Sequence, residues 1–127
     1  MYTFTTLPFD LVHNPQYEFH KVVINGQCLI DDFINHINER GNKKEKSALA
    51  SIISNMDMLT DRTMLPKEKF RPIKNMGRDD VFEFKKDSLR IYIIKQRPNV
   101  FVILGGYKTK QDKDINKLAR LVADFQR

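Results

Sequence analysis

Apolar and polar residues change their spacing several times along the 127-residue chain, and each change marks an element. YEFHKVVI (17–24) is rich in β-formers and stops at Asn25-Gly26, a pair that favours a tight reversal with positive φ, so an edge strand followed by a turn is predicted. From Leu29 the spacing becomes helical. Ile30, Phe33, Ile34 and Ile37 recur at i, i+3, i+4 and i+7, and Gly41 stands where a helix would end. After the polar link GNKKEK, the set Leu49, Ile52, Ile53, Met56 and Leu59 carries a second helix, about five turns long, which Pro66 stops. The two form an antiparallel hairpin whose Phe33, Ile37, Ile53 and Met56 face a sheet.

The sheet is the best-marked part. VFEFK (81–85), LRIYIIK (89–95) and NVFVILGGY (99–107) are separated by short turn-like pieces, which predicts a three-stranded antiparallel meander. By the two-residue period of a strand, Leu89, Ile91 and Ile93 point to one face and Arg90, Tyr92 and Ile94 to the other. Beyond Asp112, the series Ile115, Leu118, Ala119, Val122 and Phe125 predicts an amphipathic helix. The predicted class is α+β: an N-terminal helix hairpin on a small antiparallel sheet, made of the meander plus an N-terminal edge strand, with a C-terminal helix. Length allows one domain, 1–127, in which residues 1–16 are an N-terminal extension with no assigned role.

Charge adds direction. The net charge of +6 is unevenly spread: residues 1–65 hold 6 Lys/Arg against 8 Asp/Glu, or −2, and residues 66–127 hold 16 against 8, or +8. Such asymmetry within one domain points to a polyanion, with nucleic acid the first candidate and an acidic protein segment the second. Cations recur beside aromatics from Lys67 to Lys110. If Glu83 and Lys85 share a face with Arg90 and Tyr92, that face is a basic platform with stacking groups, suited to single-stranded nucleic acid. The competing reading is a solubilising surface, since lysines near strand ends often serve only to blunt sheet edges. Arg90 resists that reading, because a charge inside an apolar strand needs water, a partner or a ligand.

Other chemistries are weakly supported. Asp31-Asp32 and Asp79-Asp80 are adjacent pairs with no His or Cys at ligand spacing, so no metal site is expected. His13, His20 and His36 all fall in the N-terminal half and leave the basic sheet without a histidine pair. Cys28 is the single cysteine and reads as a packed small hydrophobe. LGGYKTK (104–110) lacks phosphate-loop spacing, and its glycines are expected to let the strand bend before the last helix. There is no run of about 20 apolar residues to span a bilayer and no targeting signal, so a cytoplasmic protein with no membrane partner is expected.

FEF (82–84) followed by a basic residue, LRIYIIK with its arginine early in a strand, and VILGGYKTKQDKDI (102–115) occur in an order and spacing that resemble the RelE superfamily, in its phage-derived HigB-like branch. The resemblance runs from about Phe70 to Ile115 and back through the helix hairpin to Val22. It implies a RelE-like fold and the toxin of a toxin–antitoxin pair. Such a toxin is an endoribonuclease, or mRNA interferase, that cleaves mRNA, on the ribosome in some members, inhibits translation, and is silenced by a cognate antitoxin protein. The implied reaction needs no cofactor and no metal. The ribose 2′-hydroxyl attacks the adjacent phosphorus, leaving a 2′,3′-cyclic phosphate and a free 5′-hydroxyl, which calls for a base, an acid and cations at the phosphate.

Position by position, the resemblance implies a catalytic set of Lys85, Arg90, Tyr107, Lys108 and Lys110, and the basic platform read from the cations and aromatics adds Arg71, Lys74, Glu83 and Tyr92 as RNA-binding residues. Lys85 and Arg90 would neutralise phosphate, and Tyr107 would stack a base or relay a proton. A lysine crowded by like charges would have its proton affinity lowered and could act as acid or base. Glu83 is a further candidate base. The chain departs from the family in having no histidine near its C-terminus. Two other functions stay open: a non-catalytic RNA- or ribosome-binding module, and a protein-docking module that uses the basic face.

Overall fold

A computed structural model describes residues 1–62 and 65–125. Along the chain run β1 (Phe4–Pro8), β2 (Glu18–Ile24), α1 (Leu29–Arg40), α2 (Lys43–Met58), β3 (Phe70–Pro72), β4 (Val81–Lys86), β5 (Leu89–Gln96), β6 (Asn99–Tyr107), a 3₁₀ turn (Lys108–Lys110) and α3 (Gln111–Asp124). The strands form one six-stranded sheet in the order β1-β2-β6-β5-β4-β3. The α+β class holds, and the details differ from expectation. The sheet is mixed, because β2 lies parallel to β6 while every other neighbouring pair is antiparallel. Two strands precede the helix hairpin, and β2 is an interior strand because β1 covers its outer side.

Local signals explain the helices. Asn25 and Gly26 adopt positive φ values of 51° and 80° in the turn before α1, and α1 ends on Gly41 at φ 67°, the left-handed cap that glycine takes without a Cβ penalty. The Asn42 side chain accepts the backbone N–H of Glu45 at 3.0 Å and starts α2. Phe33, Ile37, Ile52 and Met56 bury against Phe84, Leu89, Ile91 and Ile93 on one face of the sheet, while Ile53 is only partly covered at the margin of that core. Leu118, Leu121 and Val122 of α3 bury against Tyr92, Ile94 and Ile103 on the other face. Cys28 is half-buried beside the first core, and burial pushes its thiol up from the ordinary range.

Residues 1–16, the N-terminal extension to which the sequence assigned no role, take part in this packing. β1 completes the sheet, Phe9 is buried in the hairpin-side core, and the loop that follows holds the end of α2. There the Asn14 amide donates to the carbonyls of Met56 at 2.8 Å and Leu59 at 2.7 Å, and its Oδ1 accepts the N–H groups of Gln16 and Tyr17. One side chain thus ties two carbonyls at the helix end, adding to the Leu59 N–H that Met56 already accepts. Beside it the Tyr17 hydroxyl donates to Asp61 at 2.5 Å. Arg78 does the same for α3: its guanidinium pairs with Asp80 at 2.8 Å and donates to the carbonyls of Val122 and Phe125.

Two outcomes follow for stability. Replacing Asn14 by alanine should lower unfolding free energy by about 1–2 kcal/mol, with faster amide exchange in the last turn of α2. Burial, and then the bond to Asp61, push the Tyr17 phenol up to about 12 from 10.0. A raised folded-state value stabilises fully below the unfolded value and fades as pH climbs through the folded one. The stability advantage of wild type over Tyr17→Phe in urea should therefore be constant up to about pH 10 and shrink towards pH 12.

Candidate functional site

Strand period and register bring the basic residues to one corner. Cross-strand pairing sets Arg71 opposite Glu83 and Glu83 opposite Tyr92, and the next row sets Lys85 opposite Arg90 and Arg90 opposite Gly106. Glu83, Lys85, Arg90 and Tyr92 therefore share the face that α3 covers, as the alternation predicts. They do not form an open platform. The N-terminal half of α3 lies across them, so that Tyr92 is fully buried, Glu83 is 1% exposed and Arg90 is 6% exposed. A stacking role for the Tyr92 ring is thereby corrected: the ring belongs to the core under α3.

The buried groups form a polar cluster. Glu83 accepts from Arg71 Nε through one carboxylate oxygen and from Gln111 Nε2 at 2.7 Å through the other. Arg90 Nη1 donates to the backbone carbonyls of Asp87 and Leu89, both at 2.8 Å. Among the described residues, Arg90 Nε and the Tyr92 hydroxyl are buried with no partner at hydrogen-bond geometry, although Gln111 lies close enough to the hydroxyl to oppose the rise in its proton affinity. Burial pushes the Tyr92 phenol well above its usual range, and the carboxylates of Glu83 and Asp114 push it the same way. Asp114 is raised too, by burial, against the pull of Lys117, Lys113 and Lys110. Its carboxylate lies against Gly106, where a Cβ would collide with it, and the Phe33 ring occupies the corresponding place at Gly105 on the opposite face. The glycine pair thus permits close approach of both helix layers, which is more than the bend expected of it.

Between the β3 edge and α3 runs a groove of about 310 Å³. Pro72, Ile73 and Ile115 supply its apolar surface, Lys67 and Lys74 are cations on it, and Arg71, Glu83 and Gln111 line it as well. Lys85 is half-buried beside Arg90, whereas Lys108 and Lys110 are exposed in the 3₁₀ turn that leads into α3. That turn is tied to the β4–β5 reversal by the Lys108 N–H, which donates to the Ser88 carbonyl at 2.7 Å.

Of the expected residues, Arg71, Lys74, Glu83, Lys85, Arg90, Lys108 and Lys110 gather around this corner. Tyr107 does not. Paired with Leu89, it points to the hairpin face, where its hydroxyl donates to Glu45 at 3.0 Å and its ring meets Phe33 and His36. Arg78, another of the clustered cations in the sequence, is used up in holding Asp80 and the end of α3. The histidines sit apart from the corner: His13 in the loop before β2, His20 stacked on Phe101, His36 beside Tyr107.

Gln111 and Asp114 had not been singled out in the sequence. The signal was present, because 111, 114, 115 and 118 recur at helical spacing and so share the buried side of α3 with Leu118. Among the described residues, no three His, Cys, Asp or Glu side chains gather as they would around a metal ion, and no helix is long and apolar enough to cross a membrane. Comparison of the chain with protein-family models, curated proteins and solved structures gave no match.

Chemically, the corner offers cations at graded depth around a fixed carboxylate, an arrangement able to hold an anion and to orient a group beside it. The unpartnered Tyr92 hydroxyl gives a direct check. Removing a buried polar atom that lacks a partner costs no hydrogen bond, so Tyr92→Phe should leave urea stability unchanged or raise it by up to about 1 kcal/mol.

Proposed function

We propose that this protein is an endoribonuclease that cleaves mRNA as the toxin of a toxin–antitoxin pair, a RelE/HigB-like activity. The observation that supports the proposal is the placement of Lys85, Arg90, Lys108 and Lys110 at one corner of the sheet, beside the paired Arg71 and Glu83. In this reading, exposed Lys108 and Lys110 meet the RNA backbone first, and Lys85 and Arg90 neutralise the phosphate that reacts. A base removes the 2′-hydroxyl proton as that oxygen attacks phosphorus, and an acid returns a proton to the departing 5′-oxygen. Lys85 and Lys110 are the side chains at hand for these transfers, since both oxygens of Glu83 are already engaged. Tyr107, turned towards Glu45 on the other face, has no part in them. The net positive C-terminal half also suits an acidic antitoxin segment that silences the toxin by covering the corner.

Binding without cleavage is the second reading, favoured by the engagement of both Glu83 oxygens with Arg71 and Gln111. Induced expression followed by mapping of RNA ends separates the two. Wild type should arrest growth and leave new 5′-hydroxyl ends matched by 2′,3′-cyclic phosphates. The variant Lys85→Ala, Lys110→Ala, which removes one half-buried and one exposed cation, should keep its fold and lose cleavage by about 100-fold or more. Salt-dependent RNA affinity with intact RNA would sink the nuclease and leave the binding module.

A further inference from the structure

The Arg71–Glu83 pair joins a guanidinium on the groove wall to a carboxylate on its floor, and the two differ sharply in exposure: the Arg71 side chain is 47% exposed and that of Glu83 1%. The carboxylate is held from two directions, by Arg71 Nε on one oxygen and by the Gln111 amide on the other. A carboxylate has about four lone-pair sites, so these bonds leave acceptor capacity on each oxygen. The groove above it is about 310 Å³, at the small end of the roughly 300–1,000 Å³ typical of small-molecule sites. That suits a single nucleotide better than a stretch of chain. Pro72, Ile73 and Ile115 offer apolar surface for a flat ring, and Lys67 and Lys74 stand beside it for a phosphate.

Which ring fits follows from the donor and acceptor pattern. The floor presents acceptors, so the base must present adjacent donors. Guanine alone among the four RNA bases offers two neighbouring donors on one edge, N1–H and the N2 amine, spaced to meet one carboxylate. That edge resembles the planar donor pattern of a guanidinium, the group that now occupies Glu83. We infer that the groove is a guanine-nucleotide site in which Arg71 holds the place of the base. When guanine enters, its N1–H and N2 amine replace the Arg71 donor on Glu83, so the buried carboxylate is never left bare. The released Arg71 pairs with the nucleotide phosphate alongside Lys67 and Lys74. Gln111 keeps the carboxylate in position throughout, a positioning role. This inference rests on the nuclease reading for its source of guanine, a guanosine in single-stranded RNA next to the bond cleaved.

The test is binding of the four nucleoside monophosphates and inosine monophosphate to the full chain, followed by the Arg71 Nε–H and Gln111 side-chain amide resonances. GMP should bind at least tenfold tighter than AMP, CMP or UMP, with inosine monophosphate, which lacks the N2 amine, in between. The Arg71 Nε–H signal should shift with GMP in the wild-type protein, a readout that needs no variant. Glu83→Gln should bring GMP to within about twofold of AMP, and Gln111→Ala should weaken the preference partially. Equal binding of all the monophosphates, or an unmoved Arg71 signal at saturating GMP, would overturn the site. An RNA tetramer with one guanosine should bind tighter than GMP. If it does not, the RNA source is overturned in favour of a free nucleotide. Intact RNA together with a retained GMP preference removes the nuclease and leaves the guanine site standing, whereas cleavage with no base preference does the reverse.

Discussion

Strand β5 has to be covered on both faces, and the rest of the molecule is arranged around meeting that need. Its residues from Leu89 to Ile94 are all buried, one set beneath the α1–α2 hairpin and the other beneath α3. A strand of this kind normally carries apolar residues at every position, because no side chain reaches water. Here two positions depart from that. Arg90 and Tyr92 both lie under α3, and the fold deals with them differently. Arg90 spends one nitrogen on the carbonyls of Asp87 and Leu89 and stays near the open end of the sheet, while Tyr92 is sealed in with no partner for its hydroxyl at hydrogen-bond geometry among the described residues.

The two glycines on the neighbouring strand make this double cover possible. Side chains there would hold the helices away, since Phe33 descends on Gly105 from one side and Asp114 on Gly106 from the other. Close approach from both directions has an electrostatic consequence. It places the Asp114 carboxyl in a poorly hydrated position near Tyr92, and each responds by favouring its neutral form. Packing and electrostatics at this corner are therefore one problem, set by the helix that closes the chain.

Local pattern was enough to read the helices and the meander, and to suggest that Glu83, Lys85, Arg90 and Tyr92 share a face though not that α3 covers it, because periodicity of 3.6 or 2 is written into successive residues. It was not enough for β1 and β3. β1 lies at the sheet edge with most of its residues exposed, so FTTLP has no buried alternation to reveal it, and β3 is three residues long. The parallel pairing of β2 with β6 joins Glu18 to Asn99, a relation that no window of sequence contains. Tyr107 shows a different failure. Its position was legible only after register, since pairing with Leu89 commits it to the hairpin face, one residue out of phase with the Arg90–Gly106 pair. Asn14 and Arg78 were invisible for a similar reason: a polar side chain that caps a distant helix looks, in sequence, like any surface residue.

Sorting the cations by what they already hold narrows the chemistry further. Arg78 is spent on Asp80 and two carbonyls, and Lys21 on Asp31, so neither is available to a ligand without loss of structure. Arg71 is held through its Nε and is about half-exposed, which lets it exchange partners at little cost. Glu83 cannot do the same, because a carboxyl group so deeply covered must keep its hydrogen-bond partners. A buried acid paired with a mobile base is a poor way to strengthen a core, since apolar residues of similar volume would serve at least as well. What the pair does provide is a fixed acceptor whose present donor can be traded for another of like shape. That asymmetry, together with the groove beside it, is the physical basis of the binding proposed for this corner of the molecule.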